Sequence, residues 1–551
     1  MRKPSGTGRL HPGALICARD CLAGKLDRRE FLTRATALGL SVSAAAALIG
    51  LPAPARADDD DFPVAGGLLR MNMEIRPSRD PRTWAWSEEA NFCRGWLEYL
   101  VEYQADGSLR GMLLDSWEVN DDATVWDLHL RRGVEWNNGE AFDAEDVLFN
   151  LRRWCDGTIE GNSMAARLDV LRDRVTGLMR MDAVEVVDSH HLRLHAQAPD
   201  ISLIVSLADY PAAVVHRGYA GGDPVLDPVG TGPYLPEENT PGLRQTLVRN
   251  SAHRWWGTEV YGGPWLDRIE YVDLGTDPAV IYGAAERGEI DATYQTATDF
   301  VEIYDAIGWE RSEALTAATI AVRFRQTTPP YDDPRLRRAI VDAVDNEVVL
   351  ELGYGHMGLV AENHHVCPIH PEYAAGVSRP PDPEGVRAFL RATGYRQIQL
   401  ELVSLDDDWQ ALTCDAVAAQ MSDAGFSVKR TVVPPAIFRE EWLDYSFSAT
   451  EWNMRPLGVQ VLNLAYKSGG AWNETGFSNE EFDTLLARAG AIADADSRRV
   501  VMGRLEEILI ENDVLIQPYW RYLYRHVTPG VRGMGMHPMF EHHHYKWWRE
   551  E

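Results

Sequence analysis

Leu114-Asp115-Ser116-Trp117-Glu118-Val119-Asn120-Asp121-Asp122-Ala123-Thr124-Val125-Trp126 runs on through Leu130-Arg131-Arg132-Gly133-Val134 to Phe142-Asp143-Ala144-Glu145-Asp146-Val147. Between Trp126 and Leu130 the apolar residues Trp126, Leu128 and Leu130 alternate with Asp127 and His129, the period of a half-buried strand. Asn137-Asn138-Gly139 then signals a tight turn. Asp143 is placed to cap a helix in which Val147, Leu148, Leu151 and Trp154 share one face. Strand, turn and helix in so short a span predict a mixed α/β or α+β body.

The same grammar recurs further on. Asp382-Pro383 is a cap followed by a first-turn proline, with Val386, Phe389 and Leu390 inward and Gly394 as the stop. Ser478 to Glu481 reads as a capping box ahead of Phe482, Leu485 and Leu486. Ile398 to Val403 reads as a strand. Turn-rich stretches at Pro228 to Pro236, Thr327 to Pro334 and Pro434-Pro435 are candidate boundaries.

The N-terminus carries Leu26-Asp27-Arg28-Arg29-Glu30-Phe31-Leu32, a small-residue apolar stretch from Thr36 to Leu51, and Ala55-Arg56-Ala57. A basic flank, a short apolar run and an Ala-x-Ala end describe an export signal of the twin-arginine kind, with cleavage expected after Ala57. The run is too short and too rich in Ala, Gly and Ser to anchor the chain, since crossing the hydrocarbon core takes about 20 apolar residues. The processed protein is expected to be freely soluble outside the cytoplasm.

The whole chain of 551 residues has 54 Lys+Arg against 83 Asp+Glu, a formal charge of −29. The leader holds nine basic and three acidic residues, so its loss takes the charge to about −35. Such a field repels phosphate backbones and anionic lipid, which excludes nucleic acid as a partner class. Cys17 and Cys21 leave with the leader. Of the remainder, Cys93, Cys155, Cys367 and Cys414, a bridge from Cys367 to Cys414 is allowed in an oxidising compartment, with buried free thiols as the alternative.

Catalytic signatures are missing. There is no Gly-x-Ser-x-Gly elbow, no His-Glu-x-x-His, no phosphate loop, and no Cys-x-x-Cys beyond the leader. His364-His365 with His370, and His542-His543-His544 with His537, bring imidazoles together in sequence. Consecutive side chains diverge in either regular structure, so these read first as surface or hydrogen-bonded histidines; no metal or cofactor is expected. All 18 tryptophans follow the leader, and Trp84, Trp86, Trp409, Trp452, Trp472, Trp547 and Trp548 sit in polar, turn-like settings. Core packing accounts for any one of them; as a group they suit the walls of a cleft around a small polar molecule.

The 114–147 stretch resembles the signature of the peptide/nickel-type (family 5) extracellular solute-binding proteins of ABC importers. Val229-Gly230-Thr231-Gly232-Pro233-Tyr234, Gly288-Glu289-Ile290-Asp291-Ala292, Pro330-Tyr331-Asp332-Asp333-Pro334-Arg335-Leu336-Arg337-Arg338-Ala339-Ile340 and Asn473 to Asp483 carry the resemblance along the chain. It implies a two-lobed binding-protein fold closing on a buried ligand, with an extra domain beside the first lobe. The expected division is 58–105 and 229–318 for the first lobe, 106–228 for the extra domain, 319–512 for the second lobe and 513–551 for a return to the first. It also implies a monomeric, non-catalytic receptor that hands a small polar solute, peptide-like or anionic, to an inner-membrane permease with its ATPase subunits. A nickel-chelate receptor, or an exported metal-dependent hydrolase, is the alternative.

Peptide-binding members place an acid three residues after a Trp, against the peptide's amino end. Here the stretch is Trp452-Asn453-Met454-Arg455-Pro456-Leu457. An arginine there repels an ammonium group and suits a carboxylate or phosphate, unless one of the chain's many acids consumes it. The candidate ligand contacts are therefore Trp452, Asn453 and Arg455, with Trp86, Trp409 and Trp472 as walls and His365 as a polar handle.

Overall fold

The computed structural model describes residues 11–50, 63–370, 372–376, 378–492 and 495–550. The predicted strand is Val125–Leu130, with Trp126, Leu128 and Leu130 buried. It pairs with Leu114–Val119 on one side and His191–His195 on the other, and Val184–Asp188 completes a four-stranded antiparallel sheet. Helix Ala144–Trp154 begins where Asp143 accepts a hydrogen bond from the Glu145 amide, and it buries Val147, Leu148, Leu151 and Trp154.

A second four-stranded sheet has the order Leu68–Asn72, Arg268–Val272, Arg244–Arg249, Tyr234–Thr240, its first pair parallel. The Val229–Tyr234 motif brings the chain back to it. Gly230 and Gly232 lie so close to the Trp96 and Gly95 backbone that a methyl group on either would collide with it, which is why glycine is required. Asp291, from the Gly288–Ala292 turn, accepts the Arg70 amide at 2.9 Å and the Arg549 guanidinium at 3.1 Å, so one carboxylate ties the first strand, the turn and the C-terminus together.

The largest sheet has seven strands in the order Gly358–Val360, Tyr519–Val527, Glu310–Phe324, Phe447–Trp452, Gln399–Leu405, Ser427–Val433, with Leu515–Ile516 also paired to Glu310–Phe324. Strand Glu310–Phe324 changes partner along its length. Glu310 to Leu315 pair with Tyr522 to Val527, an irregularity follows, and Thr319 to Phe324 pair with Phe447 to Trp452. Single bridges from Ala292 to Met71 and to Val527 join this sheet to the second one. Gln399–Leu405 and Ser427–Val433 are parallel, and helix Asp408–Ala424 makes the crossover between them.

Several sequence expectations shift here. The capping residue after Ser478 is Asn479, whose side chain accepts the Phe482 amide. Helix Pro383–Ala392 stops before Gly394, which has ordinary negative φ and opens a short 3-10 turn instead of closing the helix. Pro434 caps helix Pro435–Glu441 inside the region of the large sheet, so it marks a loop rather than a boundary. Cys367 and Cys414 are unbridged; they are buried in separate apolar clusters, and burial pushes the Cys414 thiol up to about 12.

The described N-terminal residues 11–50 form three helices, Pro12–Leu22, Arg28–Ala37 and Val42–Leu48, which share an apolar cluster around Phe31 and Leu32. They dock on the body: the Trp117 indole donates to the Ala37 carbonyl at 3.0 Å, and the Leu109 amide donates to the Thr36 hydroxyl at 2.9 Å. Ala57 lies outside the described residues. Among the described residues no helix is long and apolar enough to cross a membrane.

Candidate functional site

Between the second sheet and the seven-stranded sheet lies a cavity of about 130 Å³. One wall comes from Asn72 to Glu74, Trp86 to Glu88 and Thr293 to Ala297; Asp407, Trp409, Arg439, Glu451 and Asn453 form the other. A larger depression between helices Pro334–Asp342 and Pro383–Ala392 is an open surface groove away from both walls. Of these two, the cavity between the sheets is the more enclosed.

Trp86 sits immediately before helix Ser87–Cys93, and its ring lies between two guanidiniums, Arg439 at 4.5 Å and Arg76 at 4.8 Å from the centroid. Both cations are committed. Arg76 reaches Glu74 at 3.3 Å and Glu88 at 3.6 Å, and Arg439 reaches Glu74 at 2.5 Å. Burial works against the Glu74 charge, but the two guanidiniums overcome it and hold the carboxyl below its ordinary value. Across the cavity, Arg521 pairs with Glu451 and lies 3.7 Å over the Trp409 ring. The Asn453 amide donates to Ser87 Oγ at 3.2 Å, and Ser87 Oγ shares a hydrogen bond of 2.9 Å with the Tyr294 hydroxyl. Tyr294 stacks on Phe540 at 5.3 Å. The walls are thus aromatic plates locked by ion pairs.

Asp407 differs from the other carboxylates. It accepts from Gln410 Nε2 at 3.1 Å, and among the described residues no Lys or Arg lies within ion-pair distance of it. Burial, with Glu451 adding repulsion, pushes its carboxyl up to about 7.

Of the residues expected from sequence, Trp86, Trp409 and Asn453 line this cavity. Trp452 stands behind the wall, its indole donating to Glu474 at 2.8 Å and its edge against Trp472. Trp472 stacks on Tyr210, and His365 bonds the Tyr466 hydroxyl at 2.8 Å while burial pushes its pKa down to about 3. The expectation that Arg455 meets an anionic ligand gives way to a different arrangement. Its guanidinium is 2% exposed, lies 3.0 Å from Asp209, and covers Tyr210 and Trp472. Asp209 also takes Arg167 at 2.6 Å, so one acid from a distant segment holds both cations.

His364, His365, His370, His537, His542, His543 and His544 are buried, not surface groups. His537, Glu541 and His543 are the set among the described residues whose donor atoms lie near enough to share a metal. Their atoms are already in use: His537 Nε2 bonds the Tyr103 carbonyl at 3.2 Å, its Nδ1 accepts the Met539 amide, and His543 lies between Glu541 and Lys546. Arg94 pairs with Glu541 at 3.3 Å, so two cations flank the set. The donors of the set are thus engaged within the protein, with Arg94 and Lys546 beside them. Tyr294, Glu88, Asp407, Glu451 and Arg439 escaped the sequence reading. The run Asp406-Asp407-Asp408-Trp409, three acids beside an aromatic at a helix start, was the available signal for one of them.

Residues 108–473 match the family described as bacterial extracellular solute-binding proteins, family 5. The chain belongs to that family. The periplasmic oligopeptide-binding protein OppA of Haemophilus influenzae is 23% identical over 547 residues, 92% of this chain and 96% of its own. Among solved structures, the oligopeptide-binding protein AppA of Bacillus subtilis with a nonapeptide superposes with TM-score 0.78 at 16% identity, covering 89% of this chain and 100% of its own. The binding protein AgaA of A. tumefaciens R10 with agropinic acid gives 0.76 at 20%, covering 88% and 99%. Family 5 members of this kind are binding proteins, and this one is a binding protein of the ABC-importer type, not an enzyme.

Proposed function

We propose that the protein is a periplasmic receptor that captures a small polar solute by closing two lobes over it and delivers it to an inner-membrane permease with its ATPase subunits. In this reading 58–105, 229–318 and 513–551 make the first lobe, 106–228 the extra domain and 319–512 the second lobe; the twin-arginine leader exports the chain, which acts as a monomer. The observation that carries it is the cavity whose walls come from two different sheets, connected through strand Glu310–Phe324 and its partner Tyr519–Val527. A hinge at those two strands lets ligand contacts on both walls favour the closed form. Solutes named for relatives range from oligopeptides to agropinic acid and deoxycholate, so family membership leaves the cargo open.

Native mass spectrometry of protein purified without refolding tests the reading. A non-covalent small molecule that is released by mild unfolding, and that raises the melting temperature when added back, is the expected result. Turnover of that molecule, or an apo protein with no ligand-dependent shift across peptides, amines and organic acids, would count against it.

A further inference from the structure

The position of Asp407 in the fold is where a ligand group is met. It lies at the carboxyl end of strand Gln399–Leu405, at the start of helix Asp408–Ala424, within a parallel strand–helix–strand unit. Ligands of parallel sheets collect outside such strand ends. Aspartate in this position normally caps the helix, and Asp143, Asp333, Asp345 and Asp382 do so in this chain, each accepting a backbone amide. Asp407 makes no side-chain cap bond. One carboxylate oxygen takes Gln410, the other has no hydrogen-bond donor among the described residues, and the residue lines the cavity.

Charge around the cavity is unbalanced in the same place. Glu74, Glu88 and Glu451 are each paired with a cation, Arg76, Arg439 or Arg521, and these guanidiniums lie over the Trp86 and Trp409 rings. The unpaired Trp86 Nε1, Arg439 Nε and Arg521 Nη2 atoms are sealed from solvent. Among the described residues Asp407 is the carboxylate of the lining that has no ion-pair partner; Glu451 repels it, Arg521 and Arg439 attract it from beyond ion-pair distance, and the Trp409 ring is on the same wall.

Resting on the receptor reading above, we propose that the cargo carries a compact organic cation, an ammonium or guanidinium, which binds Asp407 and lies against Trp409, so that Asp407 rather than Arg455 sets the charge specificity. A cation supplies the missing counter-charge and meets a π face in one position. The helix N-terminus favours negative charge there, and Asp407 already provides it.

The test measures binding by calorimetry to the wild type and to Asp407→Asn, using putrescine, arginine and choline as cationic probes and succinate and trialanine as anionic and zwitterionic ones, beside any co-purified molecule. Expected is binding of at least one cationic probe or of a cationic co-purified molecule, weakened tenfold or more in D407N, with an unchanged or raised melting temperature because Asp407 has no internal cation to lose. Trp409→Phe is expected to retain binding within a few-fold. If D407N binds the same cation equally well, or if the protein selects an anion and D407N tightens it, the proposal is overturned while the receptor reading stands. If nothing of either sign binds or co-purifies, both fall.

Discussion

Arg455 and Asp209 form an ion pair of 3.0 Å in the protein interior, with Arg167 on the same carboxylate. Burial opposes the charge on Asp209, yet the two guanidiniums hold its carboxyl below the ordinary value. The pair fixes the segment after strand Phe447–Trp452, since Arg455 also donates to the Asn453 and Met454 carbonyls at 3.0 Å. Arg455→Ala is therefore expected to cost about 3–5 kcal/mol of stability by breaking a buried pair, with cargo affinity little changed. Denaturant unfolding and calorimetry together check this; lost affinity at unchanged stability would return Arg455 to the ligand.

Trp409 is packed on Arg521, with Tyr354 against it at 5.7 Å, as well as lining the cavity. Trp409→Ala is expected to lose about 3–5 kcal/mol of stability and to weaken cargo binding about tenfold. Because Trp409→Phe keeps a ring over the guanidinium, it should recover most of both, and melting curves beside titrations read the difference.

Stability should depend on pH in a defined direction. Burial pushes His364, His365 and His544 from an ordinary 6.5 down to about 3, so the unfolded chain binds protons that the folded chain refuses. Their contribution is complete above 6.5 and is lost as pH falls toward 3, at about 1.4 kcal/mol per pH unit for each. Burial raises Glu98 to about 7, Glu541 to about 8 and Glu506 to about 9, so their contribution is lost as pH rises from 4.5 through those values. His370, His526, His537, His542 and His543 are shifted downward as well, and Asp407 is raised to about 7, so between pH 4.5 and 6.5 the histidines and the raised acids oppose each other. Glu74, Asp209 and Glu372, held below the ordinary carboxylate value, add a further loss in acid. The melting temperature is expected to show a broad maximum between about pH 4.5 and 6.5 and to fall on both sides, most steeply in acid. A melting temperature as high at about pH 3 as at about pH 5.5 contradicts this.

Cleavage of the leader should uncover a defined surface. With residues 11–50 docked, Trp117 is 6% exposed and its indole is bonded to Ala37. A chain beginning at residue 58 loses that acceptor, so Trp117 is expected to become accessible to acrylamide quenching while cargo affinity stays the same. Equal quenching in the long and short forms, with a Trp117→Phe control, would mean that the leader is undocked in solution.

The cysteines give a simple count. In a chain beginning at residue 58 the cysteines are Cys93, Cys155, Cys367 and Cys414, all buried thiols, and burial pushes Cys155 and Cys414 up to about 12. Thiol titration is expected to find four reactive groups in denaturant and none in the native protein; two in denaturant would mean a disulfide.

What the sequence settled was local. Alternation at Trp126 to Leu130, the cap at Asp143 and the glycines at 230 and 232 each encode their conformation within a few residues, and the motifs around them were enough to identify the family. Trp86 and Trp409, named from their polar, turn-like settings, and Asn453, named from its motif position, line the cavity, whereas Trp452 and Trp472, named on the same grounds, pack behind it. Only the folded chain decided the charge of the site. Whether Arg455 faces ligand depends on Asp209 and Arg167, and whether Asp407 is free depends on Arg521 choosing Glu451, partners brought together by packing from remote segments. Coulomb energy depends on distance in space and on burial, neither of which is written in the order of residues.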